Sequence, residues 1–526
     1  MRAKKSYLVG ASSLALATLI AKFIGAFYRI PLTNIIGAEG IGIYQLIFPV
    51  YSLLLTSSSG AMPIAISLIM SKHAANEDIS LTQKRFTAIM SIILLIGLLS
   101  SLGLTLLARP LSIIQRNWFA GIGYVAIAPA VVFVAGIAAF RGYFQGQSDM
   151  RPTSVSYVVE AVTKLAFGLG LSAILLPLGL QFAVFGALSG VAISEAITFF
   201  VMYSTYRRQS GRLNLNLNLK ENKKHYKEII RISFPISVGG IIMPIVLFID
   251  SILVVNILMR TGVSSQQATA SYGMLTGPVA SLINLPVVLT LSLGIAVVPA
   301  IAHIKERRDL AAIKQKSDTA LKLALIIGVP FAVIYFLLAR NILYLLYPRL
   351  SYSELNLGVR LLQIGAATVL ILSLMQIYSS LLQGLGKTYT PVKNLAFSAV
   401  IKIILDVILL YTIGIEGVAV ASFACYAICM TLNLISYKRL TGVNQTFLKN
   451  SCIICVSGAI MALAVYLASL YLAFYGIIAI IGIGSFVYAG ILIVSGVFSE
   501  RQLQSLPMGK IWVRASRRLR FWEGKR

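Results

Sequence analysis

Along the 526-residue chain, polar residues gather into short stretches, and the segments between them stay apolar for about 20 residues at a time. A run of that length is what an α-helix needs to cross a hydrocarbon core roughly 30 Å thick. The apolar positions do not alternate with polar ones at a spacing of two, so the pattern is that of spanning helices and not of an outer-membrane barrel. Fourteen such runs are centred near residues 18, 55, 95, 132, 165, 193, 245, 285, 328, 370, 403, 427, 460 and 486. The pattern predicts an all-α polytopic membrane protein with 14 transmembrane helices.

Composition agrees: 58% of residues are hydrophobic, 12% are charged, and the mean hydropathy is +0.86, well outside the range of soluble domains. The start, MRAKKSYLVGASSLALATLIA, has the basic end and apolar centre of a secretory signal. No small-residue cleavage site follows and the apolar stretch continues past Lys22, so it is expected to be a retained first span. With the N-terminus placed inside, 35 of the 45 Lys and Arg residues fall on the same side, in the N-terminus, in residues 71–85, 141–152, 207–231, 303–322, 384–393 and 438–449, and after 499. Six fall on the other side, and Lys22, Arg29, Lys164 and Lys402 lie within spans. Cytoplasmic loops collect Lys and Arg, so both termini are expected in the cytoplasm of a cell with the protein in its cytoplasmic membrane.

The formal charge of +28 does not point to nucleic acid, because clusters such as RASRRLRF at residues 514–521 directly follow the last span. Such placement suits contact with anionic membrane lipids. Cys425, Cys429, Cys452 and Cys455 lie in apolar runs and are expected to pack as small hydrophobes; the CxxC spacing of the last two has no His or acidic ligands beside it.

The chain repeats itself. LLAR occurs at 106–109 and 337–340, Gln83-Lys84 is matched by Gln315-Lys316, and Tyr206-Arg207-Arg208 by Tyr437-Lys438-Arg439. The Gln-Gly pairs of YFQGQSDMRP and LLQGLGKTYTP are 238 apart, and VFGA at 184–187 matches IEGV at 415–418. The expected organisation is a six-helix bundle in residues 1–212, a second in 213–446, two added helices in 447–499 and a basic cytoplasmic tail in 500–526. Six is even, so the two copies insert in the same orientation, an arrangement that suits alternating access. All three histidines fall in cytoplasmic loops and the outer loops offer only Glu39, Glu354 and Glu416, which argues against an enzyme acting outside.

The segments FIGAFYRIPLTNIIGAEGIGIY, FRGYFQGQSDMRPTSV and LLQGLGKTYTPVKN, set in this duplicated frame, resemble the MOP flippase superfamily. The chain is most similar to its polysaccharide-biosynthesis branch, which includes stage V sporulation protein B and the MurJ-type lipid II flippases. That resemblance implies export of an undecaprenyl-pyrophosphate-linked sugar from the inner to the outer leaflet, by a monomer, for peptidoglycan, spore cortex or polysaccharide synthesis. It also implies that the two added spans form a groove for the prenyl tail.

Four cations within spans need a reason, since each costs roughly 2.5–3.5 kcal/mol at the bilayer centre. Lys22 and Arg29, seven residues apart around Gly25, share a side of the first span. By resemblance they line the cavity, where they would grip the pyrophosphate; snorkelling of Arg29 to a headgroup is the alternative. Lys164 and Lys402 are 238 apart and hence equivalent. Either they close on the same anion, or each is neutralised on its own helix, by Glu160 and by Asp406. Asp250 and Asp406 match spans that hold a sodium site in some MurJ-type proteins, although Lys402 stands in the turn before Asp406. Coupling through these two, Glu160 or Glu195 is left open between sodium, protons and membrane potential; Glu195 has a structural hydrogen-bonding role as its alternative. Proline and glycine at Pro31, Pro49, Gly60, Pro63, Pro278, Pro286, Gly294 and Pro299 are hinge candidates. The rival functions are a multidrug or cation antiporter of the same superfamily, which four buried cations disfavour, and a non-transporting envelope scaffold.

Overall fold

The structure is a computed structural model that describes residues 2–56, 62–74, 79–211, 213, 219–442, 447–472 and 476–497. The basic tail, Gly60 and the inter-helix stretches between these ranges lie outside the described residues. Sixteen α-helices account for almost all of them: α1 Arg2–Leu55, α2 Met62–Ala74, α3 Ile79–Ile114, α4 Trp118–Gly146, α5 Arg151–Leu175, α6 Leu180–Ser210, α7 Leu219–Arg260, α8 Ser265–Met274, α9 Ala280–Glu306, α10 Leu310–Leu337, α11 Ala339–Leu346, α12 Tyr352–Gly384, α13 Tyr389–Ile413, α14 Ile415–Thr441, α15 Phe447–Tyr471 and α16 Ile477–Val494. No strand occurs among the described residues. In lipid a helix satisfies its own backbone groups, which is why apolar sequence of this length takes that form.

Among the described residues thirteen helices are long and apolar enough to cross a membrane, and the first of them runs for 43 residues, Ser13–Leu55. At 1.5 Å per residue that is about 65 Å, twice the hydrocarbon thickness. The excess is explained at Gly37, where φ is +68° and the backbone leaves the helical region. Arg29 and Gln45, eight residues to either side of Gly37, both donate to the carbonyl of Thr276. In a straight helix they would stand about 24 Å apart, beyond the reach of two side chains to one atom. The chain therefore folds back at Gly37, and α1 holds two crossings, so the number of spans is close to the expected fourteen.

The alternation of directions can be followed by contact. Ser13 Oγ lies 3.5 Å from Ser154 Oγ, and Tyr28 meets Gly168, so the first crossing and α5 run the same way. Tyr124 of α4 donates to Leu46 O, and Gly142 and Gly146 pack on Pro63, Ser67 and Met70, so the second crossing continues through α2 alongside α4.

The described residues form two compact units. The first comprises residues 1–281, 349–354 and 403–418, so α7 and α8 group with the first six crossings. Its core runs through Leu32, Tyr44, Ile47, Tyr124, Ile127 and Leu188, with an aromatic cluster of Phe86, Phe140, Tyr143 and Tyr206 beside it. Gly42 is essential to this packing, because a Cβ there would stand 2.1 Å from Thr269 O of α8. The second unit comprises the described residues of 282–348, 355–402 and 419–497 and is built around Leu321, Ile377, Tyr378 and Tyr437. In it α15 and α16 pack on each other and on α10, and Lys322, counted in a loop by the charge pattern, is buried in α10 and donates to Val497 O at 2.7 Å. The cysteines are free thiols: Cys425 and Cys429 are buried, Cys452 and Cys455 exposed.

The internal repeat has structural counterparts. A Cβ on Gly146 would meet Ser67 O and Met70; on Gly384, 238 residues later, it would meet Val298 O and Ile301, each 231 later than its counterpart. Likewise Gly186 abuts Leu171 O, and Gly417 abuts Leu409 O. The same helix-to-helix contacts recur at the offsets found in the sequence.

Of the hinge candidates, Pro278 falls in a π-turn at Leu275–Val279 between α8 and α9. Pro31 and Pro49 lie inside α1, and Pro286 and Pro299 inside α9.

Candidate functional site

The polar chemistry of the first unit is concentrated where α4, α5 and α6 pack on the two crossings of α1. Arg141, on α4, makes a 2.8 Å ion pair with Glu160 of α5, donates from Nε to Ser156 Oγ at 2.9 Å, and stacks 3.8 Å over the ring of Tyr157. Its side chain is 12% exposed and that of Glu160 30%. This differs from the expectation that Glu160 neutralises Lys164 along its own helix. A cross-helix arginine offers Glu160 a bidentate-capable partner in a drier place than a lysine one turn away. Arg141 was counted with a cytoplasmic loop, yet it stands in the apolar run GIAAFRGYF and within α4; that apolar flanking is the signal that marks it as a span residue.

With Glu160 taken, Lys164 turns to aromatic faces. Its ammonium is 5.4 Å from the Phe48 ring centroid and 5.8 Å from that of Tyr28. Tyr28 is also under the electrostatic influence of its chain neighbour Arg29. Lys164 thus lies over the ring of the residue that precedes Arg29 in the chain. Among the described residues neither Lys164 nor Arg29 has a carboxylate within salt-bridge distance. Arg29, half-buried, instead donates from Nη1 to Thr276 O at 3.5 Å. That carbonyl is free to accept because in the π-turn Ala280 N–H bonds to Leu275 O and Gly277 O. Gln45 donates to the same oxygen. Lys22 is exposed, about two turns below Arg29 on the first crossing.

Glu195 of α6 is buried beside this group, accepting from Tyr51 Oη at 3.4 Å and interacting electrostatically with Glu160, Arg141 and Lys164. Asp250 is buried on α7 near Tyr272, Lys402 and Asp406 are buried on α13, and no three His, Cys, Asp or Glu side chains among the described residues converge as metal ligands. Lys402 stands one turn before Asp406 on α13. Two grooves of about 270 and 370 Å³ are lined almost wholly by apolar residues such as Leu104, Leu107, Leu95 and Phe133; charge, not volume, marks the polar site.

The model of the family described as polysaccharide biosynthesis protein matches residues 7–305, more than half of the chain. The chain belongs to this family. The MatE family model also matches, over residues 235–408, and both place the chain in the MOP superfamily of multi-pass membrane transporters. It is 28% identical to stage V sporulation protein B of Bacillus subtilis (strain 168) over 431 residues, covering 80% of this chain and 81% of that one. It is 26% identical to the lipid II flippase MurJ of the same organism, covering 89% of each. Among solved structures, lipid II flippase MurJ in an inward closed conformation superposes with a TM-score of 0.75 at 17% identity, over 92% of this chain and 98% of that one, which shows a shared fold.

Proposed function

We propose that this member of the polysaccharide biosynthesis family flips an undecaprenyl-pyrophosphate-linked sugar from the inner to the outer leaflet, serving peptidoglycan, spore cortex or polysaccharide synthesis. The observation that carries the reading is that Lys164 lies over the rings of Phe48 and Tyr28, while Arg29, next to Tyr28 in the chain, donates to the Thr276 carbonyl, with no carboxylate ion-paired to either among the described residues. Cations held by an aromatic face and a backbone carbonyl are weakly satisfied. A pyrophosphate offers them charge-assisted bonds roughly twice as strong as neutral ones, and the arginine fork takes two oxygens together. Lys22 extends the cationic face along the first crossing, and Lys402 is the counterpart of Lys164 in the second half. Anionic lipid recognition with no bond broken requires no catalytic group, and the reading is of a transporter. Cationic wall charge disfavours a cationic drug as cargo.

The halves at residues 1–212 and 213–446 are taken as the moving bodies of alternating access, with 447–499 holding the prenyl tail and both ends cytoplasmic, from the 35-to-6 division of basic residues. Asp250, Asp406, Glu160 and Glu195 are the groups available for coupling to an ion gradient.

The test is complementation with a leaflet-accessibility assay of lipid-linked precursors, in a strain lacking related flippases. Arg29→Ala and Lys164→Ala should abolish flipping at normal protein abundance, and Arg29→Lys should retain part of it. Normal flipping by a Lys22→Gln, Arg29→Gln double variant expressed at the wild-type level would sink the anion grip.

A further inference from the structure

Glu160 stands four residues before Lys164 on α5, the order in which a carboxylate and a lysine on one helix face attract each other best. They are not paired. Glu160 Oε2 accepts from Arg141 Nη2 at 2.8 Å, across the boundary between α4 and α5, while the Lys164 ammonium lies 5.4 Å from the Phe48 ring centroid and 5.8 Å from that of Tyr28. Arg141 is itself fixed from two further directions. Its Nε donates to Ser156 Oγ at 2.9 Å, Ser156 donates in turn to Thr153 O at 2.7 Å, and the guanidinium stacks over Tyr157 at 3.8 Å. Ser156, Tyr157 and Glu160 span one turn of α5, so the arginine grips the turn that precedes Lys164 and takes up its carboxylate.

The internal repeat supplies a comparison within the chain. The helices α5, Arg151–Leu175, and α13, Tyr389–Ile413, begin and end 238 residues apart. At that offset Arg141 corresponds to Ser379, Ser156 to Asn394, Glu160 to Ser398 and Lys164 to Lys402. In the second half Asn394 donates to Asn433 Oδ1 at 2.8 Å and Asn433 donates to Ser379 Oγ at 3.0 Å, a neutral bridge at the place of the ion pair. Amides and hydroxyls therefore suffice to join these helices. Arginine and carboxylate are absent together there, and the charge common to both halves is the lysine.

We infer that Arg141 is a positioning residue for anion binding: by holding Glu160 it keeps that carboxylate from Lys164, and so leaves the lysine's charge to the phosphates of the substrate. This rests on the anion-binding reading above. Without Arg141, Glu160 is a stranded carboxylate one turn from a lysine; the two pair along the helix, and the neutralised lysine no longer serves an incoming anion. Without Glu160, the group left alone is a cation, and Lys164 loses nothing. The two partners of one ion pair thus act on anion binding with opposite sign. A clasp that only held α4 to α5 would be broken from either end, and at least as badly from the Glu160 end, because the arginine then stranded is the drier partner, 12% exposed against 30%.

The probe is farnesyl pyrophosphate, binding to the full-length protein in detergent micelles, with each variant shown to be folded by circular dichroism. Arg141→Met should weaken binding by about tenfold, the loss of one charge-assisted bond. Glu160→Gln should bind at least as tightly as the wild type. The Arg141→Met, Glu160→Gln double variant should return to within about threefold of the wild type, because no carboxylate is left to reach the lysine. Lys164→Gln should also weaken binding by about tenfold, and Arg141→Met should add nothing in that background. Without ligand, a Glu160–Lys164 double-mutant cycle of unfolding equilibria should show no coupling while Arg141 is present and about threefold coupling or more in the Arg141→Met background. Equal losses of affinity in Arg141→Met and Glu160→Gln, a double variant as weak as Arg141→Met, or no coupling after Arg141 is removed would each overturn the inference. If the wild type does not bind the probe, or Lys164→Gln binds it equally well, the anion reading fails and the inference with it, even where the ligand-free cycle shows Glu160 changing partner.

Discussion

Removing Arg141 should be among the most destabilising single changes in the first unit. The guanidinium carries a 2.8 Å ion pair to Glu160, a 2.9 Å bond to Ser156 and a stack on Tyr157, from a side chain 12% exposed. Breaking a fully buried pair by deleting one partner costs about 3–5 kcal/mol, because the survivor is left charged and unpaired. Glu160 is 30% exposed and keeps part of its hydration, which puts Arg141→Met near the lower end, about 3 kcal/mol. That is roughly a hundredfold shift toward the unfolded state. Replacing both partners removes the stranded charge, so Arg141→Met with Glu160→Leu should return to within about 1 kcal/mol of the wild type. The assay is equilibrium unfolding in detergent micelles titrated with SDS, followed by circular dichroism and arranged as a double-mutant cycle. An Arg141→Met protein within 1 kcal/mol of wild type, or a double variant no more stable than the single one, would refute the reasoning.

The same unfolding assay separates two glycines of α1. Gly42→Ala places a methyl 2.1 Å from Thr269 O and should cost at least the 1–3 kcal/mol typical of overpacking, whereas Gly37→Ala, with nothing within 4 Å, should cost about 1–3 kcal/mol through backbone strain alone, because φ +68° with ψ −176° is a conformation essentially confined to glycine; an unchanged stability in either variant would be contrary to the structure described. Lys322→Met should lose about 1.5–3 kcal/mol through the freed Val497 carbonyl, with Lys322→Arg recovering part, and an unchanged stability would show the bond contributes nothing. Photocrosslinkers at exposed apolar positions of α15 and α16, such as Leu463 and Phe486, should capture prenyl chains more strongly than one at Phe336 of α10; equal capture would remove the tail-groove role.

The hydropathy pattern alone was enough for the helical class and the approximate number of crossings, because span length is a property of a local stretch read against a bilayer; the duplication was read from matched motifs. The resemblance to the MOP superfamily likewise rested on local strings. Partner choice was not legible. Glu160 stands one turn from Lys164 in sequence, yet it is taken by Arg141 from another helix, since which cation reaches a carboxylate depends on how α4 packs on α5. Arg141 itself was assigned to a loop because it lies close to the helix end, and depth in a packed unit is invisible to a charge count. The prolines marked candidate bends, but the reversal in α1 came at Gly37, where a positive φ is cheap. The seat of Arg29 was beyond sequence as well: Thr276 O becomes an acceptor only because a π-turn releases it, and it receives Arg29 and Gln45 only because the chain folds back between them. Local chemistry sets which side chains are unwelcome in lipid; the packing of distant helices decides what satisfies them.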